Sequence, residues 1–394
     1  MIRTGFLLLS AAALFIVLQG CQKTDQEGSA KEPRFYSPDE FVMGADLSYV
    51  NQILDHGGTY RDSGKIKDPY RIFAGHGANV VRLRLFHTPR WTGEIYGEGT
   101  QPIYHHFEDV KIAIERARAE GMDVLLDFHY SDNWADPHKQ NPPEAWESLD
   151  LETLRDSIYQ YTFQTLEKLE EEGLMPEYVQ TGNEINPGFV LPKGSRWDGN
   201  KENFVYLMNG AIQGVRDAAR SSSVDPQIIL HVAQPENVSN WFQGLKKAGL
   251  SDYDIIGFSY YYIWSEVPVE EVSKYVGSFR KNFGKKVMIL ETAYPWTTGY
   301  ADDYNNISDT SKLHPDYPAT PEGQKAYMQK LTQEVIDGGG QGVFYWEPAW
   351  ITCNIKTQWG TGSAWEHHAL FDFEGNTLPG MDYMTHSYSF EENK

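Results

Sequence analysis

Tyr178-Val179-Gln180-Thr181-Gly182-Asn183-Glu184-Ile185-Asn186 reads as a short β-prone run that becomes a loop at an acidic residue. A second stretch has the same form: Val287-Met288-Ile289-Leu290-Glu291-Thr292-Ala293-Tyr294-Pro295-Trp296. A short apolar run of this kind reads as a buried strand. A carboxylate that closes such a run is expensive to desolvate unless chemistry requires it there. Glu184 and Glu291 are therefore expected to face one another across a single site.

Working outward, six more runs of the same kind lie in the chain: Phe41–Asp46, Asn79–Phe86, Met122–His129, Gln227–Val232, Asp254–Tyr261 and Gly342–Glu347. Helical stretches are expected between them, at about 68–76, 107–120, 151–173, 201–220, 239–249, 268–283 and 321–338. Strands that alternate with helices imply a parallel sheet. Eight such units favour closure into an α/β (β/α)8 TIM barrel, with the site at the C-terminal ends of the strands. No Gly-x-Gly-x-x-Gly follows the first strand, which argues against a dinucleotide fold. No internal repeat and no second catalytic domain are apparent.

The bulk numbers agree with one large soluble unit. The chain has 394 residues, and 34 Lys+Arg against 55 Asp+Glu leave a net charge of -21. Such an acidic balance argues against nucleic acid and anionic lipid as partners. Aromatic residues make up 14%, and their flat faces suit the apolar faces of sugars. At the N-terminus, Met1-Ile2-Arg3 precedes an apolar stretch from Phe6 to Leu18, which has signal-peptide length. Leu18-Gln19-Gly20-Cys21 resembles a bacterial lipobox, so residues 1–20 are expected to be removed and Cys21 lipidated. A flexible tether over 21–37 and a catalytic domain over 38–394 follow. Asp25 and Glu27 resemble the acidic sorting cues of surface-exposed lipoproteins. The protein is expected to be exported and held on the outer-membrane surface or the periplasmic face through its lipid only. Cys353 is then the one remaining cysteine, expected to be a buried, unpaired side chain.

Alternation along each strand sorts its side chains into two faces. Val81, Leu83 and Leu85 are expected to meet helices, while Arg82 and Arg84 point into the barrel and require carboxylate partners. Asp127 and His129 share the interior face of the third strand. The polar, aromatic loop Tyr130-Ser131-Asp132-Asn133-Trp134-Ala135-Asp136-Pro137 reads as a substrate wall. Two carboxyl groups about 5–5.5 Å apart produce a retaining glycosidase. One must be protonated and the other ionised at working pH. Glu184 is assigned as general acid/base and Glu291 as nucleophile, with Arg84 and Tyr261 as the partners that keep Glu291 charged. Asn183 is placed against the sugar hydroxyl next to the anomeric carbon, and Trp346 under the sugar being cleaved.

Asn-Glu at the end of strand four and Glu at the end of strand seven resemble clan A glycoside hydrolases. Longer stretches resemble glycoside hydrolase family 53, the arabinogalactan endo-β-1,4-galactanases. These are Gly44-Ala45-Asp46-Leu47-Ser48, Val81 to Leu85, Asp127 to Pro137, Gln180 to Asn186, Glu291 to Trp296 and Ala369-Leu370-Phe371-Asp372-Phe373. The resemblance covers roughly residues 40–380. It implies internal, retaining cleavage of β-1,4-galactan to galacto-oligosaccharides by a monomer without an organic cofactor. It also adds Asp46, Arg84, His129, Trp134, Asp136 and Trp296 to the sugar-binding set. Ser259-Tyr260-Tyr261-Tyr262 lacks the proline usual in the family after strand six, which puts the local subsite in question. Some bacterial members bind calcium near the seventh-strand loop. Asp303, Asn305, Ser363 and Glu366 are the hard oxygen ligands available there for a structural Ca2+. The competing readings are another clan A endo-glycanase, such as a mannanase, xylanase or cellulase, and a glycan-binding lipoprotein on an inactive barrel.

Overall fold

The computed structural model describes residues 40–197, 199–250 and 252–390. Cys21 and the 21–37 tether lie outside the described residues. Eight parallel strands close into a barrel in chain order, with the first strand paired to both the second and the eighth. The strands are β1 Val42–Asp46, β2 Val80–Leu85, β3 Asp123–Phe128, β4 Tyr178–Thr181, β5 Gln227–Ala233, β6 Ile255–Ser259, β7 Lys286–Thr292 and β8 Gly342–Tyr345.

The expected two-face pattern is realised as two separate cores. Val42, Val80, Leu125, Ile229, Ile255, Met288, Leu290 and Phe344 form one cluster, which fills the lower barrel. Their alternation partners, among them Val81, Leu83, Val124 and Leu126, belong to a larger cluster shared with the surrounding helices. The barrel centre is so full that a Cβ on Gly44 would lie 2.1 Å from the ring of Phe344.

Helices start where local chemistry favours it. Asp68 accepts from Tyr70 N–H ahead of Pro69–Gly75, and Asp150 accepts from Thr153 N–H ahead of Leu151–Glu171. Both satisfy donors that a helix start leaves unpaired. The seven expected helices are present, with shifted ends. The helix expected at 239–249 runs Pro235–Lys246, because Pro235 suits a first helical position. The β1–β2 connection also holds a short helix, Val50–Asp55, and a hairpin of Arg61–Asp62 with Lys65–Ile66. Neither has the length to leave a periodic signal. No described helix is long and apolar enough to cross a membrane. Cys353 is free, as expected, but only partly buried.

β7 departs from regular pairing. Against β6, Phe258 pairs Ile289 and Ser259 pairs Glu291; against β8, Val343 pairs Ile289 and Tyr345 pairs Thr292. Both ladders carry one extra residue on β7, a β-bulge at Leu290. Ile289 packs outward, Leu290 packs inward, and Glu291 also faces inward. Strict alternation would have sent Glu291 to the helix side.

Candidate active site

A cavity of about 840 Å³ opens at the C-terminal ends of the strands. Glu184 and Glu291 both line it, with Asn183, Tyr261, Trp134, Asp136 and Trp346. Trp264, Trp350, Trp359 and Trp365 also line it, the second and fourth of them fully buried. Trp264 and Trp359 are exposed; Trp264 packs on Tyr261, and Lys139 Nζ lies 5.8 Å from the Trp359 ring centroid. Trp346 stands edge-on to Trp365, with centroids 4.8 Å apart, and 5.6 Å from Trp134.

The two acids sit in unlike surroundings. Glu291 is 6% exposed. Its Oε1 accepts from Arg82 Nη1 at 2.8 Å, and its Oε2 accepts from Tyr261 O–H at 3.1 Å. Burial raises its carboxyl to about 7, with Arg82 opposing the rise. Glu184 accepts one side-chain bond, from Ser259 Oγ to Oε1 at 2.5 Å. Burial pushes it up to about 8, and the charge of Glu291 adds to the rise. A cation on one carboxylate and only a neutral hydroxyl on the other keep Glu184 the weaker acid of the two. Glu184 also holds a left-handed backbone at φ +45, a conformation that non-glycine residues rarely take.

Arg82 knits the floor beneath them. Nη1 also donates to Asp46 at 2.9 Å. Nη2 donates to Asp127 at 2.8 Å and to Asn183 Oδ1 at 2.7 Å. Nε donates to Gln180 Oε1 at 3.2 Å. Asn183 donates in turn to Ala135 O at 2.8 Å, which leaves one Nδ2 hydrogen for the cavity.

Several expected site residues fall elsewhere. Arg84 does not reach Glu291. It donates to Glu347 at 2.6 Å, and its guanidinium lies 4.2 Å from the Trp134 ring centroid and 4.5 Å from that of Tyr49. The partner of Glu291 is Arg82, two residues earlier. Asp46 and His129 are buried outside the cavity lining. Asp46 holds Arg82. His129 Nδ1 accepts from Ala135 N–H at 3.0 Å, so its Nε2 carries the hydrogen that faces Asp127 at 3.1 Å. Trp296 also lies outside the lining: its indole donates to Glu366 O at 2.9 Å and its ring packs on Phe373.

The four residues expected to hold calcium do not gather. Asp303 and Asn305 are exposed, whereas Ser363 and Glu366 are buried. Asn305 lines the cavity, and Ser363 Oγ is committed to Trp350 O at 2.6 Å. It is Asp302 that meets Glu366, across the Thr352 hydroxyl: Oγ1 lies 2.8 Å from Asp302 and 2.5 Å from Glu366, and its one hydrogen serves a single carboxylate at a time. Among the described residues no group of three or more His, Cys, Asp or Glu side chains is placed to hold a metal. The donor set therefore does not fit the expected ion.

Sequence reasoning missed Gln180, His231, Ser259 and Glu347. His231 lies between Ser259 Oγ, 2.9 Å from Nε2, and Asn183 Oδ1, 3.0 Å from Nδ1. Glu347, like Glu184, lies just past the end of its strand at φ +45, and burial pushes its carboxyl up to about 8 against the opposing charge of Arg84. A polar residue on the inward face of each strand was the available signal for Gln180, His231 and Ser259.

Comparison with known proteins agrees with this geometry. The chain is 41% identical over 353 residues to an arabinogalactan endo-beta-1,4-galactanase of Cellvibrio japonicus, covering 88% of this chain and 91% of that one. It is 34% identical over 390 residues to an endo-beta-1,4-galactanase of Bacillus subtilis, covering 89% and 86%. A solved GH53 catalytic domain from Ignisphaera aggregans superposes with a TM-score of 0.81 at 32% identity, covering 91% of this chain and all of that one. The family model described as Glycosyl hydrolase family 53 matches residues 42–384, all eight strands included. With barrel, paired strand-end acids and sequence in agreement, the chain belongs to glycosyl hydrolase family 53.

Proposed function

We propose that the protein is a retaining endo-β-1,4-galactanase that cleaves β-1,4-galactan, the pectic type I arabinogalactan, to galacto-oligosaccharides. The observation that carries the chemistry is the unequal treatment of the two cavity acids: Arg82 and Tyr261 serve Glu291, and Ser259 alone serves Glu184. The galactan specificity rests on the named activities of the relatives.

In the first step Glu291 attacks the anomeric carbon through Oε2, the oxygen on the Tyr261 side. The bond from that carbon to the leaving sugar breaks, and Glu184 gives its proton to the departing oxygen. The resulting glycosyl ester on Glu291 is then opened by water, whose proton returns to Glu184. The spare Nδ2 hydrogen of Asn183 serves the neighbouring sugar hydroxyl. The indole of Trp346 supports the ring being cleaved, and Trp134 and Asp136 wall the cavity. Arg84, Asp46 and His129 act from behind this wall. The reading requires no metal and no organic cofactor, since the chain supplies both carboxyl groups.

The test is product analysis on linear galactan beside mannan, xylan and cellulose. Short galacto-oligosaccharides from galactan, first released as the β-anomer, are expected. Faster release from another polymer would favour a different clan A endo-glycanase, and no release from any would favour the glycan-binding reading. For location, Leu18-Gln19-Gly20-Cys21 supports a lipid anchor at Cys21 on the outer-membrane surface or the periplasmic face, and a monomer is the expected form.

A further inference from the structure

His231 holds Glu184 at both ends. Its Nδ1 lies 3.4 Å from the backbone N–H of Glu184, and its Nε2 lies 2.9 Å from Ser259 Oγ, which lies 2.5 Å from Glu184 Oε1. Both helpers are fully buried. Ser259 also pairs in register with Glu291, so it is fixed to the strand that neighbours the second acid.

Counting hydrogens fixes the direction of these bonds. Ser259 has one hydroxyl hydrogen and two polar neighbours. The shorter contact, to Glu184, takes that hydrogen when the carboxylate is charged. Ser259 Oγ then accepts from His231 Nε2–H. The Nδ1 of that tautomer is a lone pair, free to accept from the Glu184 amide or from Gln180 Nε2 at 3.1 Å. Gln180 is oriented to donate, because its Oε1 accepts from Arg82. In this arrangement Nδ1 turns a lone pair toward Asn183 Oδ1, 3.0 Å away, which takes its hydrogens from Arg82 Nη2 and Gln180 Nε2. The Nδ1–H tautomer would reverse the chain and put the acid hydrogen on Oε1, so the arrangement follows from the Ser259 hydroxyl donating to the charged carboxylate.

We propose that His231 and Ser259 are positioning residues that reserve Oε1 of Glu184 as an acceptor, so that the acid proton resides on Oε2. Among the described residues no donor is found for Oε2, and Glu184 lines the cavity. Oε2 then delivers the proton to the departing oxygen and recovers one from water, while Oε1 keeps its bond to Ser259 in both half-reactions. One oxygen is structural and the other does the proton transfer. The tie also holds the left-handed backbone of residue 184 in place. This inference rests on the acid/base role given to Glu184 above.

The test compares two substrates in Ser259→Ala, Ser259→Thr and Glu184→Ala. Galactan needs acid help for its leaving group. A dinitrophenyl β-galactobioside does not, and its first-step release of dinitrophenolate is read as a burst. In Ser259→Ala, galactan turnover is expected to fall on the order of 10-fold or more while the burst rate stays within about 2-fold of the parent. Ser259→Thr, which restores a hydroxyl, should recover most of the galactan rate. Equal loss on both substrates, or undiminished galactan turnover in Ser259→Ala, would overturn the proposal. Glu184→Ala separates the two claims. If it too spares the burst and loses galactan, the acid assignment stands whatever Ser259 does; if it does not, that assignment fails by itself.

Discussion

Arg82 Nη1 lies 2.8 Å from Glu291 Oε1, and the same guanidinium reaches Asp46, Asp127, Gln180 and Asn183. One cation therefore joins β1, β3, β4 and β7 from its place on β2. Arg82→Met is expected to destabilise the fold by about 3–5 kcal/mol, because it strands buried carboxylates. Arg82→Lys keeps a charge but cannot fork, and should cost at least about 100-fold in kcat/KM with a smaller loss of melting temperature. Thermal melts and initial rates on galactan check both.

Glu291→Gln leaves the shape of the cavity and removes the nucleophile. Turnover of galactan should vanish while binding, followed by calorimetry with galacto-oligosaccharides, persists. Full activity in this variant would refute the nucleophile assignment.

Both acids titrate in the fold at about 8 and about 7, above the ordinary glutamate value of 4.5. Activity needs Glu291 ionised and Glu184 protonated. It should fall as pH drops below about 7 and again as pH rises above about 8. The stability sign is opposite to that of a salt-bridged acid. The folded state retains protons that the unfolded chain has released, so this contribution is full below the unfolded value and is lost as pH rises through the folded ones. Glu184→Gln should accordingly melt higher than the parent at pH 9, by on the order of a few °C, and the gap should close at acid pH. Calorimetry across that range decides it.

Trp346 fills its place against Trp134 and Trp365 and faces the cavity. Trp346→Ala should lower kcat/KM for galactan by about 10-fold or more, since a lost stacking contact of ~1.4 kcal/mol corresponds to that factor. A rate within error of the parent would remove it from the subsite.

If the proposed lipid anchor at Cys21 holds, Cys21→Ala should move the protein from the membrane fraction to the soluble one, because such an anchor depends on its acyl chains. Immunoblots of fractionated cells check this. Unchanged partition would dismiss the lipid anchor.

The barrel could be read from the sequence because each strand is long enough to alternate and each intervening helix long enough to show its period. Glu184, Glu291, Asn183 and Tyr261 were readable for a related reason: strand ends in such a barrel converge on one mouth. The choice between Arg82 and Arg84 was not. The two share a face about 6.6 Å apart along β2 at the usual strand rise, and the stagger between β2 and β7 decides which one meets Glu291. The bulge at Leu290 was equally silent, since an extra residue leaves no mark in a run of apolar side chains. Short elements such as Val50–Asp55 were missed because one and a half turns carry no period. The expected calcium set failed because nearness in sequence could not tell the outward Asp303 from the inward Asp302, which accepts from Ser363 N–H at 2.8 Å.

The left-handed backbone of Glu184 makes it a handle for protein engineering. A glycine there would take φ +45 without steric penalty and would remove a partly buried carboxyl along with the activity on galactan. A catalytically silent galactan-binding reagent is thus one substitution away, and it should be sturdier at alkaline pH than the enzyme from which it is made.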